Sequence, residues 1–200
     1  MVAIIDYGVG NLFSLRSSLA AIGVEAAVTG DPAAIRAADK LILPGVGAFG
    51  DAAALLRRDG LDRLICQEAG AGKPLLGICL GMQLLFDYST EYGRHQGLGL
   101  IPGSIHPIRD AIPAGYKAPH IGWNALHFPA GRPVSPLFRQ IQEGDCVYFV
   151  HSFYAAHCDE NVIATAEYGP ELTAAAAKGN VYGVQFLPEK SGDVGLAILR

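Results

Sequence analysis

Two short stretches carry the residue types that could do chemistry. Residues 77–81 read GICLG, a Gly77-x-Cys79-x-Gly81 pattern that follows an apolar run and precedes a helix-forming one. A strand-to-helix turn this tight has no room for a Cβ at either glycine, and it lifts the central side chain out at the carboxyl edge of a sheet. A helix beginning at Leu80 aims amides at the sulfur, which favours thiolate over thiol, and the same amides can receive an oxyanion when that sulfur attacks a carbonyl. A second loop, LPGVGAFGD, closes a neighbouring strand, and Gly45 and Gly47 let its backbone swing another amide towards the thiol. The bland alternative is a buried cysteine in a strand–turn–helix joint; both flanking glycines and the strand–helix context favour the chemical reading.

The second stretch is VYGVQFLPEK, residues 181–190. Its period-two alternation says strand, and Pro188 ends it. A carboxylate just past a strand end ordinarily orients a partner, yet the side chain two residues before Glu189 is Leu187, which offers nothing to orient. Without a partner, Glu189 also reads as a solvated carboxylate beside Lys190. His151, in YFVHSFY, is the one histidine expected at the pocket; His95, His106, His120, His127 and His157 read as loop or strand-end residues.

The elements that must position these groups alternate in the first half. Strands are expected at VAIID, VEAAVTG, KLIL and KPLLGIC. Helices are expected at NLFSLRSSLAAIG, at DPAAIRAA opened by Asp31 and Pro32, from Ala52 to Ala69 with a break at Gly60, and at GMQLLFDYS. Strand–helix alternation implies an α/β fold, with a mostly parallel central sheet and helices on both faces. Beyond about Gly97 short apolar runs follow one another between turns, which reads as antiparallel strands extending one edge. SGDVGLAILR is a last helix. The 200 residues suit one domain.

Half the residues are apolar and 17% are charged, which fits a globular chain. The net charge of −4 argues against nucleic acid as a main partner. No apolar run is long enough to span a membrane, and MVAIIDYG lacks a signal peptide's basic start, so a cytoplasmic chain is expected. The four cysteines are too scattered for a zinc site, and neither a metal nor another cofactor is expected. DYGVGNLF lacks the third glycine and the later acidic residue of a dinucleotide fingerprint. GAGKP has Pro74 where a P-loop needs Ser or Thr.

Taken together, GICLGMQLLF, PGVGAFGD, IDYGVGNL, IGWN, YFVHSFY and GVQFLPEKSG resemble the class I glutamine amidotransferases, and among them the glutaminase subunits of imidazole glycerol phosphate synthase. The resemblance runs from residue 2 to about residue 195. It implies a Cys–His–Glu triad that releases ammonia from L-glutamine, and a tunnel into a (β/α)8-barrel cyclase subunit that makes imidazole glycerol phosphate and AICAR from PRFAR. By the same resemblance Cys79 takes the nucleophile's position and Glu189 the orienting acid's. Leu80 and the Gly45–Val46 peptide correspond to the oxyanion donors; Gly47, Gln83, Ser152 and Phe153 to the glutamine site. Asn11, Trp123, Tyr148 and Lys190 fall at the partner interface and gate.

The family writes its last motif with histidine between phenylalanine and proline, whereas this chain writes Leu187. Leucine can neither protonate departing ammonia nor activate the water that must release an acyl-enzyme. Losing the base is expected to cost on the order of 10⁴–10⁶ in turnover, with a residual rate or a trapped thioester left behind. His151 is a poor substitute, because the family has a histidine there as well as its base. Burying leucine at that position costs nothing polar, so the fold should survive. Two other functions remain to be weighed: a non-catalytic synthase subunit whose partner runs on free ammonium, and an unrelated cysteine hydrolase, which leaves PGVGAFGD and IGWN unexplained.

Overall fold

The computed structural model describes all 200 residues. Strands β1 (Val2–Ile5), β2 (Ala26–Thr29), β3 (Lys40–Leu43) and β4 (Leu75–Ile78) are parallel and form half of a seven-stranded sheet. Helices α1 (Leu12–Ala21), α2 (Pro32–Ala37), α3 (Phe49–Arg58) and α4 (Leu61–Gly70) connect them. The local signals operate as expected. The Asp31 side chain accepts from the Ala34 amide at 3.1 Å and caps α2, and Gly60 separates α3 from α4 with a positive φ of 70° that an L side chain rarely adopts.

Downstream of β4 the fold is less regular. Helix α5 is only Leu80–Leu84, where the sequence suggested a helix running on to Ser89. The chain instead turns at Leu85–Asp87 and enters β5 (Tyr88–Ser89), which pairs with β6 (His95–Gln96) and with β7 (Ser104–Pro107). The apolar side chains of Leu84, Leu85 and Phe86 suit a helix locally, but their fully buried positions are reached as well by a turn, and packing decides.

The later strands also distribute differently from the expectation of one extended edge. Strands β8 (His120–Ala125) and β9 (Cys146–His151) form their own antiparallel pair, and β10 (Phe153–Ala156) joins β7, β5 and β6 in a four-stranded sheet. The edge extension is made by β11 (Val162–Glu167) and β12 (Glu171–Lys178), antiparallel to one another. The next strand, β13 (Val181–Val184), is antiparallel to β12 but parallel to β4, so the order is β11-β12-β13-β4-β3-β1-β2. Helix α6 (Gly192–Leu199) closes the fold. Two apolar clusters cover the sheet: one contains Phe49, Leu85 and Phe86, the other Ile4, Phe149 and Phe186. Beside the second, Trp123 and Ile121 point out of the β8–β9 pair as exposed apolar side chains.

Candidate active site

The placement of β13 next to β4 brings the two chemical stretches together, since both strands run the same way and end at the same edge. The Cys79 amide donates to the Val184 carbonyl at 2.8 Å, and the two chains then diverge into the elbow and the Leu187–Ser191 turn. Cys79 itself holds φ 55° and ψ −114°, an uncommon conformation for a side-chain-bearing residue. A Cβ on Gly81 would stand 1.8 Å from the Leu43 carbonyl oxygen, and one on Gly77 would stand 2.7 Å from the Gly81 carbonyl. Both contacts are with backbone, so neither glycine can be replaced without moving a strand. Strand β3 thus presses its PGVG loop against the elbow, and buried Tyr7 pins that loop by donating to the Pro44 carbonyl at 2.8 Å.

A cavity of about 400 Å³ opens above the sulfur. Its walls include Val46, Gly47, Cys79, Leu80, Gln83, Ser152, Phe153 and Leu187, so most of the residues singled out from sequence converge there. Gly45 lies buried behind the wall, where an added Cβ would stand 2.9 Å from the Gly81 amide nitrogen. Two further lining residues, Glu91 and Tyr92, carried no signal in the sequence: they sit in a turn after β5 whose course depends on the four-stranded sheet. The Glu91 carboxylate reaches across to accept from the Phe49 amide at 2.7 Å, at the start of α3.

Burial pushes the Cys79 thiol up to about 11; nearby Glu189 adds to the rise, and the Leu80 amide, Gln185 and Lys190 oppose it. The expectation that helix amides would favour thiolate is therefore met in sign but outweighed in size. A helix of five residues has little macrodipole, and its contribution comes mainly from one amide. Gln185, to which the sequence reading gave no role beyond its place in the last strand, is fully buried and donates Nε2 to the sulfur at 3.7 Å. A polar side chain inside an apolar strand run was the signal available for it.

Leu187 lines the cavity and is buried among apolar side chains of the cluster around Phe149 and Phe186. Its backbone is tied on both sides: its amide donates to the Tyr148 carbonyl at 3.0 Å, and the Ser191 hydroxyl donates to its carbonyl at 2.7 Å. Behind it, Glu189 Oε2 is buried with no hydrogen-bond partner. Burial raises the Glu189 carboxyl above its ordinary value, against the pull of its own amide, Lys190 and the Asn11 side chain. Asn11 thus approaches Glu189. Trp123 and Tyr148 face each other across β8 and β9 with ring centroids 6.1 Å apart, and Lys190 is exposed beside them in the turn that Tyr148 holds.

His151 lines the cavity, but both of its ring nitrogens are engaged. Nδ1 lies 2.8 Å from the Phe153 carbonyl, so it must carry the proton, and Nε2 then accepts from His120 Nδ1 at 3.0 Å. Burial lowers the His151 pKa to about 4, which keeps the ring neutral. No lone pair is left to take a proton from Cys79. His120 opens β8, a strand-end position as read from sequence, but it is buried, stacked on Phe149 and Tyr168 at 4.9 and 4.0 Å.

The glutamine amidotransferase class-I family model matches residues 3–199. The chain is 49% identical to imidazole glycerol phosphate synthase subunit HisH of Geobacillus sp. (strain WCH70), covering all of this chain and 94% of that protein. It is 50% identical to the HisH subunit of Moorella thermoacetica, over all of this chain and 92% of the relative. Among solved structures, a glutamine amidotransferase superposes with a TM-score of 0.75 at 20% identity, over 98% of this chain and 95% of that one. PurLQS from Thermotoga maritima matches equally well, at 0.75 and 21% identity, over 99% of this chain and 94% of that one. These likenesses at low identity speak for the fold, and the relatives at half identity, matched over all of this chain, speak for the group: the chain belongs to the class-I glutamine amidotransferase family and, within it, to the HisH subunits of imidazole glycerol phosphate synthase.

Proposed function

We propose that the chain, read as one amidotransferase unit, is the glutamine-binding subunit of an imidazole glycerol phosphate synthase, with its own glutaminase step severely impaired at Leu187. Cys79 Sγ adds to the carboxamide carbon of glutamine, and the oxyanion meets the Leu80 amide and the Gly45–Val46 peptide. Gly47, Gln83, Ser152 and Phe153 hold the substrate, and the Glu91 carboxylate suits its α-ammonium. Ammonia then has to leave with a proton, and a water has to attack the thioester to return the thiol and release glutamate. Both steps need a group that moves protons beside the sulfur. The surface of Asn11, Trp123, Tyr148 and Lys190 docks on a (β/α)8-barrel cyclase subunit that takes ammonia and PRFAR to imidazole glycerol phosphate and AICAR.

One observation carries the impairment: Glu189 Oε2 is buried and unpartnered while Leu187, two residues before it, occupies the wall of the thiol's cavity. A buried carboxylate without a partner, next to a leucine in the cavity wall, supports the reading that the group to join it to the sulfur is missing. The experiment is a glutaminase assay of the complex with its cyclase and cyclase ligand, for the parent and for Leu187→His. Negligible hydrolysis by the parent and recovery in the variant are expected; equal turnover by the two would overturn the proposal.

The lack of a free proton acceptor beside the thiol, with His151 engaged at both ring nitrogens and Leu187 in the wall, favours a second reading in which the chain serves as a binding subunit and the cyclase uses free ammonium. Synthase activity measured at high ammonium, with and without the chain, separates the two. A cyclase indifferent to the chain would exclude this second role.

A further inference from the structure

A line of buried hydrogen bonds ends on the Cys79 sulfur, and its direction is fixed from the far end. The Phe153 carbonyl can only accept; it takes His151 Nδ1 at 2.8 Å and Gln83 Nε2 at 3.3 Å. With Nε2 thus defined, Gln83 donates its other amide hydrogen to Gln185 Oε1 at 2.9 Å. Gln185 is 0% exposed, so no water competes for its orientation. Its carbonyl faces Gln83 and its amide nitrogen faces Cys79 Sγ at 3.7 Å. Turning Gln185 over would set two NH₂ groups against each other and a carbonyl against the sulfur. Turning both would set the Gln83 carbonyl against that of Phe153. Only one polarity satisfies every group.

Resting on the reading of Cys79 as the nucleophile, we propose that Gln185 is a catalytic residue whose amide donates to the Cys79 thiolate, and that Gln83 is the positioning residue that turns this amide towards the sulfur. Gln83 then has a double duty: both amide hydrogens are committed to the protein, and only its carbonyl oxygen is left for a ligand's ammonium or amide. The need for such a donor follows from the surroundings. Burial and Glu189 disfavour the charged sulfur, Tyr7 lies close enough to interact with it, and Lys190 is the nearby cation. Across the cavity stand the Glu91 carboxylate, committed to the Phe49 amide, and His151, neutral and doubly bonded. Gln185 is the one side chain hydrogen-bonded to the sulfur.

The test is alkylation of the full chain by iodoacetamide between about pH 7 and 10, with modification at Cys79 and at buried Cys158 followed separately by peptide mass spectrometry. A hydrogen bond to a charged acceptor, here lengthened by sulfur, is worth about tenfold in thiolate population. Gln185→Met is expected to slow Cys79 alkylation about tenfold at fixed pH and to move its pH curve upward by about one unit. Gln83→Met should do nearly the same without touching Gln185, and the double variant should be no slower than either single one. Loosening of the fold would instead speed Cys79 and Cys158 together, so slowing at Cys79 alone is not a structural effect. If Gln185→Met does not fold, the smaller apolar Gln185→Leu removes the donor without adding a charge, and the same slowing is expected. Curves that coincide with the parent's overturn the donor; a shift in Gln185→Met with none in Gln83→Met overturns the positioning role. A parent Cys79 that fails to react at any of these pH values overturns the nucleophile reading itself.

Discussion

Replacing Leu187 by histidine is the perturbation whose energetic consequences the structure specifies most fully. Leu187 is 6% exposed, so the substitution removes the burial of a leucine side chain, about 2 kcal/mol, and places an imidazole in an apolar wall at a cost of about 1–3 kcal/mol. Against that stands Glu189 Oε2, buried and unpartnered, which gains a charge-assisted hydrogen bond of about 1.5–3 kcal/mol. The difference is a net cost of about 2 kcal/mol, so the melting temperature should fall by about 4–8 °C in a chain of this size. Turnover should change by a different order. A restored base is worth on the order of 10⁴–10⁶, or about 5–8 kcal/mol of barrier at 1.36 kcal/mol per decade. The assay is steady-state ammonia release from glutamine by the complex with cyclase and its ligand. Adding Glu189→Gln to Leu187→His should remove about 10⁴ of the gain, since an imidazole held by no acid takes the wrong tautomer. In the parent the same Glu189→Gln change should not lower the residual rate, since no imidazole depends on the acid and losing its charge eases thiolate formation at Cys79. Turnover gained in Leu187→His that is indifferent to Glu189, or a parent within tenfold of the variant, would refute the reasoning.

Three further outcomes can be checked with purified protein. Gly81→Ala should abolish folding or cost more than about 3 kcal/mol in denaturant melts, because the new Cβ meets the Leu43 carbonyl at 1.8 Å and β3 cannot retreat; a mild loss would show that the elbow is looser than its geometry. Tyr7→Phe should cost about 1–3 kcal/mol by leaving the Pro44 carbonyl without its hydroxyl donor, and should weaken trapping of glutamine analogues at Cys79 if the pinned loop supplies an oxyanion donor. Glu189→Gln should remove a pH dependence: the raised carboxyl binds its proton more tightly folded than unfolded, so its share of stability is present at acid pH and lost as pH rises from the ordinary carboxylate range through the folded value. Melts of parent and variant across that range should diverge, with the parent falling more steeply towards neutral pH.

The elbow was legible in the sequence because its constraint is local: a glycine two residues before and after a cysteine, between an apolar strand and a helix start, permits few conformations. The alternation of strands and helices in the first half was legible for the same reason, down to Asp31 capping α2 and Gly60 ending α3. Leu187, at the position where the resemblance implies a histidine, was visible as a residue type, which needs no coordinates. The end of α5, the separation of β8 and β9 from the main sheet and the burial of His120 were not, since each depends on which distant surface a short apolar run covers. Sequence fixes which side chains and which backbone freedoms are available. Only packing decides solvation, and so only the folded chain could show that burial outweighs a five-residue helix at Cys79, that His151 has no lone pair to offer, and that Gln185 turns a donor to the sulfur.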